Sequence, residues 1–182
     1  MVGTDASRLA GRRRGVTSEP PSPRLTSGVD PLSPEQRQLN MSRIRGKDTK
    51  PEMLIRRALH AAGLRYRLHG GKLPGKPDLV FPARRAVVFV HGCFWHGHHC
   101  PLFRLPATRT AFWSDKIESN RKRDAAAVVA LRSDSWRVLT IWECALRGPA
   151  RREVSEVAAE ARNFIRGDTE LAELEGELPS QK

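Results

Sequence analysis

Residues 87–100 carry the densest chemistry in the chain. A β-branched apolar run, Val87-Val88-Phe89-Val90, passes directly into His91-Gly92-Cys93-Phe94-Trp95-His96-Gly97-His98-His99-Cys100. Four of the six histidines and two of the three cysteines lie in the last ten residues. A core strand requires none of these groups, so the stretch reads as chemistry mounted at a strand end. Cys93-x4-His98-x-Cys100 supplies soft and borderline metal ligands, and the third cysteine, Cys144, follows a second apolar run at 136–142. If the two runs are neighbouring strands, Cys144 emerges at the same end of the sheet. Three thiolates and one imidazole then make a closed, tetrahedral zinc site, which is structural because no position is left for water. Spacing alone leaves the imidazole open among His96, His98 and His99. Three buried free thiols are the plainer alternative.

A second group of residues suits hard-cation and acid–base chemistry. Asp78 opens a strand after Pro77, and the next strand follows about ten residues later. Nucleases hold Mg²⁺ against a phosphate with an acid on one strand and further ligands on its neighbour. Here the neighbour offers Val90, by its backbone carbonyl only, and His91. A neutral imidazole at His91 or His96 is suited to deprotonating water. Asn120 and Asp124, four apart on a helix, share one face; Glu52 sits in a first helical turn, where it is most simply a cap. Two aromatic pairs, Phe94-Trp95 and Phe112-Trp113, fall in expected loops near Arg104, Arg109 and Lys116. Side chains of this kind either fold back onto a core or enter a base stack at a weakened step.

The elements that must position these groups follow from pattern. Ser33-Pro34-Glu35-Gln36 opens a helix running to about Ile44. Thr49-Lys50-Pro51-Glu52 is a second capping box, for a helix ending before Gly63. A short strand over 65–69 and a Gly/Pro loop over 70–77 precede strands 78–81 and 86–90, an expected antiparallel pair. A helix from Ser114 or Asp115 to about Leu131 then leads to strand 136–142, which a crossover would place parallel to 86–90. An amphipathic helix over 149–165 presents Val154, Val157, Ala161, Phe164 and Ile165 on one face. The expected class is α/β, a mixed sheet flanked by helices. Residues 1–33 are expected to be a disordered leader, 34–167 the domain, and 168–182 an acidic flexible tail.

The net charge of +12 is unevenly placed. Residues 40–150 hold 21 basic and eight acidic residues, whereas 151–182 are net acidic. A basic folded body points to nucleic acid as partner. No apolar run approaches a membrane span, and no signal-peptide core precedes the body. The expectation is an intracellular, cytoplasmic protein with no membrane partner.

Four blocks carry a family resemblance: 89–100, Pro106–Trp113, Lys116–Asp124 and Trp136–Arg147, supported by Asn40-Met41 and Leu73–Asp78. From about residue 38 to 148 the chain resembles the very-short-patch mismatch repair (Vsr) endonucleases. The resemblance implies a restriction-endonuclease-like fold, a divergent PD-(D/E)XK nuclease with a structural zinc site. It implies an enzyme that nicks one strand of double-stranded DNA 5′ to the thymine of a T:G mismatch left by deamination of 5-methylcytosine. It implies Asp78 as the Mg²⁺ ligand with the Val90 carbonyl, His96 as general base, and His91, Glu52, Asn120 and Asp124 around the water and metal. Cys93, His98, Cys100 and Cys144 correspond to the zinc set. Phe94, Trp95 and Trp113 correspond to an intercalating wedge, and Met41 lies in a segment approaching from the minor groove. Phe112 and Lys116 join the DNA-binding set by their position beside that wedge. Val90 stands where threonine is expected, and Gly97 replaces one histidine of a longer run. Other mismatch-repair proteins are candidate partners, and a monomer is expected because a single nick needs one active site. The alternatives are a non-catalytic zinc-containing DNA-binding module and a related nuclease of different specificity.

Overall fold

The computed structural model describes residues 46–177, together with Ser33, Glu35, Gln36, Leu39 and Ser42. Met41, most of the expected leader and residues 178–182 lie outside the described residues. Of the first expected helix, Glu35, Gln36, Leu39 and Ser42 are helical, and Ser33 and Gln36 cap each other reciprocally.

Helix α1 spans Lys50–Ala61, and its capping box is complete: Glu52 N–H donates to Thr49 Oγ1, and Thr49 N–H to the Glu52 carboxylate. Strand β1 is only Arg67–Leu68, shorter than the 65–69 run suggested. Tyr66 is drawn aside because its hydroxyl donates to the Arg56 carbonyl, and His69 ends the strand at positive φ. Strands β2 (Leu79–Phe81) and β3 (Ala86–His91) form the expected antiparallel pair around a 3₁₀ turn at Pro82–Arg84. Helix α2 (Thr110–Ser133) crosses over to strand β4 (Arg137–Trp142), which pairs parallel with β3 from Ala86↔Arg137 to His91↔Trp142. A short helix α3 (Glu143–Leu146) and helix α4 (Val154–Arg166) follow, then strand β5 (Leu171–Leu174), parallel to β4. The sheet order is β1-β2-β3-β4-β5.

Alternation along β3 decides the layers, because successive strand side chains point to opposite faces. Ala86 and Val88 face a core with Ile55 and Leu59 of α1 and Val157, Ala161 and Ile165 of α4. Val87 and Phe89 face the other side, where Leu131 of α2 and Val138 complete a second cluster. The sheet is thus covered on both faces, which is what an apolar central strand requires. The apolar stripe expected on α4 is the buried one, with Ala158 added and Val154 half-buried.

Three expectations are corrected. Helix α2 begins at Thr110, a turn before Ser114, so Phe112 and Trp113 lie on a helix and not in a loop. The Thr110 hydroxyl donates to the Pro106 and Ala107 carbonyls, and Trp113 packs on Phe94, which together outweigh the local cap signal at Ser114. Helix α4 starts at Val154 rather than 149, because the Arg152 N–H is spent on the Ala145 carbonyl. The expected free tail is in part β5, an edge strand bonded along β4. Among the described residues no helix is long and apolar enough to cross a membrane.

Candidate active site and metal centre

Strands β3 and β4 end side by side, and their pairing places His91 opposite Trp142. The loop after β3 and helix α3 after β4 therefore leave the sheet at the same edge, and two sites form there on either side of Trp142. Its ring stacks on His98 at 4.1 Å and 16°, and meets His91 edge-on at 5.5 Å.

On one side lie Cys93, His98, Cys100 and Cys144, whose ligand atoms all fall within 4.8 Å of one another. His98 Nδ1 is 3.7 Å from Cys93 Sγ and 3.6 Å from Cys144 Sγ. Zn–S and Zn–N bonds of about 2.3 and 2.0 Å at tetrahedral angles put sulfur and nitrogen about 3.5 Å apart, close to these distances, so the spacing fits zinc. The geometry also selects His98 as the imidazole of the set. Burial pushes the Cys93 thiol up, and the neighbouring thiols add to this; burial likewise raises Cys144. A cation among them would replace those protons.

On the other side Asp78, Val90, His91, His96 and Asp124 line one cavity of about 540 Å³, together with Lys47, His69 and Lys76. Asp78 Oδ2 accepts the Val90 N–H at 2.7 Å. Burial, with the negative charge of Glu52, raises the Asp78 carboxyl to about 6 against the pull of the Val90 N–H, Arg56 and His69. A carboxylate held so unwillingly as an anion is suited to a divalent cation. Glu52, 2% exposed, lies behind it, paired with Arg56, which also pairs with Asp48. Asp48, Glu52 and His69 cluster as metal ligands do, but the Arg56 guanidinium already supplies the cation there.

His96 and Asp124 form a hydrogen-bonded pair. His96 Nδ1 and Asp124 Oδ2 are 2.6 Å apart, which turns the ring so that Nε2 is the nitrogen left for a water. Burial acts to raise the Asp124 carboxyl, but the hydrogen bond from His96 and the charges of His96, His91 and Arg123 bring it net below its usual value. His91 stacks flat on His96, centroids 3.8 Å apart with planes 3° apart. Burial, with the charge of His96, lowers His91 to about 3, so His91 is a neutral wall at physiological pH. Asn120 stands one turn before Asp124, and its Nδ2 donates to the Trp95 carbonyl at 2.7 Å, pinning the loop. Gly97, at φ +63, separates His96 from His98; a Cβ there would meet Ile117 Cγ2 at 2.7 Å. This left-handed turn sends one histidine to each site.

Phe94, Trp95 and Trp113 touch as one aromatic block, with centroids 5.1–6.0 Å apart. Phe112 extends it, 47% exposed and under the Arg109 guanidinium. Lys116 is exposed on the next turn of α2.

A family model described as DNA mismatch endonuclease Vsr matches residues 29–102. The chain is 48% identical over 137 residues to the type II nicking enzyme V.XorIIP of Xanthomonas oryzae pv. oryzae, spanning 75% of this chain and 97% of that protein. It is 42% identical over 139 residues to the DNA mismatch endonuclease Vsr of Escherichia coli K12, spanning 76% of this chain and 89% of that one. The chain belongs to the Vsr family of DNA mismatch endonucleases. The type II nicking enzyme V.NmeAIP of Neisseria meningitidis is a further relative, at 36% identity over 139 residues. For a Vsr family member, the mixed five-stranded sheet covered by helices fits the restriction-endonuclease-like fold. Nuclease chemistry of the family implies a divalent cation.

Several residues at this candidate site are recognisable only in the fold. Glu143 Oε2 accepts the Cys93 N–H at 3.1 Å and holds the loop to α3. Arg56 and His69 surround Glu52, and Lys47 and Lys76 line the cavity. None stands in a ligand-like spacing, and only the fold brings them to the site.

Proposed function

We propose that this protein nicks one strand of duplex DNA 5′ to the thymine of a T:G mismatch produced by deamination of 5-methylcytosine, and so begins very-short-patch repair. The observation that carries this reading is the single cavity in which Asp78 and the His96–Asp124 pair converge beside the aromatic block. Asp78, with the Val90 carbonyl, would hold Mg²⁺, which when bound supplies charge stabilisation at the scissile phosphate. Glu52 supports that site from behind through its negative charge on Asp78.

His96 Nε2 takes a proton from the attacking water. The water oxygen bonds to phosphorus, one phosphorus–ester oxygen bond breaks, and the leaving oxygen takes a proton from solvent water while the His96 imidazolium returns its proton to solvent. Asp124 holds the His96 ring in the competent tautomer and stabilises the imidazolium that forms, while His91 keeps it in plane. Asn120 fixes the backbone that carries Trp95. Phe94, Trp95 and Trp113, with Phe112 at their edge, enter the stack beside a wobble pair, where unstacking is cheaper than at a matched step. Lys47, Lys76 and Lys116 face phosphates, and Met41 approaches from the minor groove.

Cys93, His98, Cys100 and Cys144 would hold a structural Zn²⁺. The protein acts as a cytoplasmic monomer, drawn to the nucleoid by DNA, with other mismatch-repair proteins as partners. Strand nicking of labelled T:G and matched T:A duplexes, with and without Mg²⁺, tests the reading. Nicking confined to the T:G duplex with Mg²⁺ is expected. Equal nicking of the matched duplex would favour a nuclease of other specificity, a reading that the nicking-enzyme names of several relatives keep in view. Binding without nicking would leave a DNA-binding module.

A further inference from the structure

The acidic segment after α4 closes over the cysteine cluster. From Ala172 to Glu177 it alternates: Ala172, Leu174 and Gly176 turn inward, and Glu173, Glu175 and Glu177 outward. Each part of it reaches the metal centre or its wall. Glu173 Oε2 accepts the Trp142 Nε1–H at 2.7 Å, fixing the ring that stacks on His98. Glu175 Oε2 lies 2.9 Å from His98 Nε2. The Gly176 N–H points at Cys144 Sγ, 3.2 Å away, and the Glu177 N–H donates to the Ala150 carbonyl. The fit is close enough that a Cβ on Gly176 would come within 2.5 Å of both the Cys144 and the Ala150 carbonyl oxygens.

We propose that residues 173–177 form a clasp on the Cys₃His metal centre, in which Glu175 is the carboxylate that positions His98 as a ligand through Nδ1. The proposal rests on the zinc reading of that cluster. Nδ1 is the nitrogen that faces the sulfurs, so the ring proton belongs on Nε2, where Glu175 accepts it. A carboxylate on the far nitrogen fixes the tautomer and ring orientation and raises the basicity of the ligating one. The Gly176 N–H, aimed at Cys144 Sγ, stabilises charge on that thiolate. Together these contacts shield the cluster and slow loss of the ion.

The test uses the full zinc-loaded chain and its Glu175→Ala and Glu175→Gln variants. Zinc transfer to an excess of a colorimetric chelator is timed, and the electronic spectrum of the cobalt-substituted protein is recorded. Because the Glu175 side chain is largely exposed, its removal leaves the core intact. Glu175→Ala should release zinc roughly 10–100-fold faster and shift the cobalt bands. Glu175→Gln should stay within a few-fold of the parent, since its amide oxygen still accepts the Nε2–H. Wild-type release and an unchanged cobalt spectrum in Glu175→Ala would overturn the clasp alone. Equal acceleration in both variants would overturn the hydrogen-bond assignment. A parent chain that takes up neither zinc nor cobalt would overturn the metal reading and the clasp together.

Discussion

Asp78→Asn should make the metal-free protein more stable while abolishing its activity. The Asp78 carboxyl is raised from 3.8 to about 6, first by burial and then by the charge of Glu52. Its folded pKa therefore lies above its unfolded one. The stability it allows is fully present below about pH 4, falls as the pH rises, and is fully lost above about pH 6. A displacement of about two pH units at 1.36 kcal/mol each comes to about 3 kcal/mol of destabilisation near neutral pH. Asparagine has the same shape, its Oδ1 can still accept the Val90 N–H, and it carries no charge. Urea unfolding in Mg²⁺-free buffer with zinc in place should then show the variant more stable by about 2–3 kcal/mol near pH 8, with the gap closing towards pH 4. Saturating Mg²⁺ should narrow the gap, because only the parent gains from binding it. Nicking should fall by at least about three orders of magnitude with the loss of the cation's charge stabilisation. A variant no more stable than the parent at pH 8, or a difference independent of pH, would refute the account of a carboxylate kept anionic against its surroundings.

Three further outcomes follow from the same geometry. Asp124→Asn should lower single-turnover nicking by roughly 10²–10⁴-fold with DNA affinity kept, because the amide lets His96 adopt the wrong tautomer; unchanged rates would remove Asp124 from the proton path. Trp95→Ala, which opens the aromatic block beside Trp113, should reduce the preference for mismatched over matched duplex in a competition binding assay. Cys144→Ser should lose one zinc per chain and lower the thermal midpoint together, measured by metal analysis and calorimetry; a zinc-free chain with the parent's midpoint would contradict a structural role.

The centre of the fold was legible because its signals are local. The β-branched run 87–90, the turn at Pro82 and the Thr49–Glu52 capping box each decide their structure within a few residues. The parallel placement of β4 followed from the intervening helix, and that pairing is what brings Cys144 to Cys93. The features not legible in the sequence depend on contacts distant along the chain. The start of α2 is set by aromatic packing against the 93–95 loop. Strand β5 is written in Leu-Ala-Glu-Leu-Glu-Gly-Glu, a period-two pattern masked by its acidity; its outward carboxylates find Trp142, His98 and Arg152. Arg56 reads as an ordinary helix-surface arginine, yet it is 5% exposed because Asp48 and Glu52 pair with it. Likewise, the sequence leaves His96, His98 and His99 equivalent as ligands, whereas the turn at Gly97 separates His96 from His98 by direction.

On the proposed function, two metals divide between the two sites flanking Trp142: zinc would hold the fold, and a hard cation at Asp78 would serve the cleavage. The most direct test measures nicking of a T:G duplex alongside zinc content while Mg²⁺ is withdrawn and restored. Activity should vanish without Mg²⁺ and return with it, zinc staying at one per chain throughout. Nicking that persists without Mg²⁺, or that rises and falls with zinc content, would contradict the division.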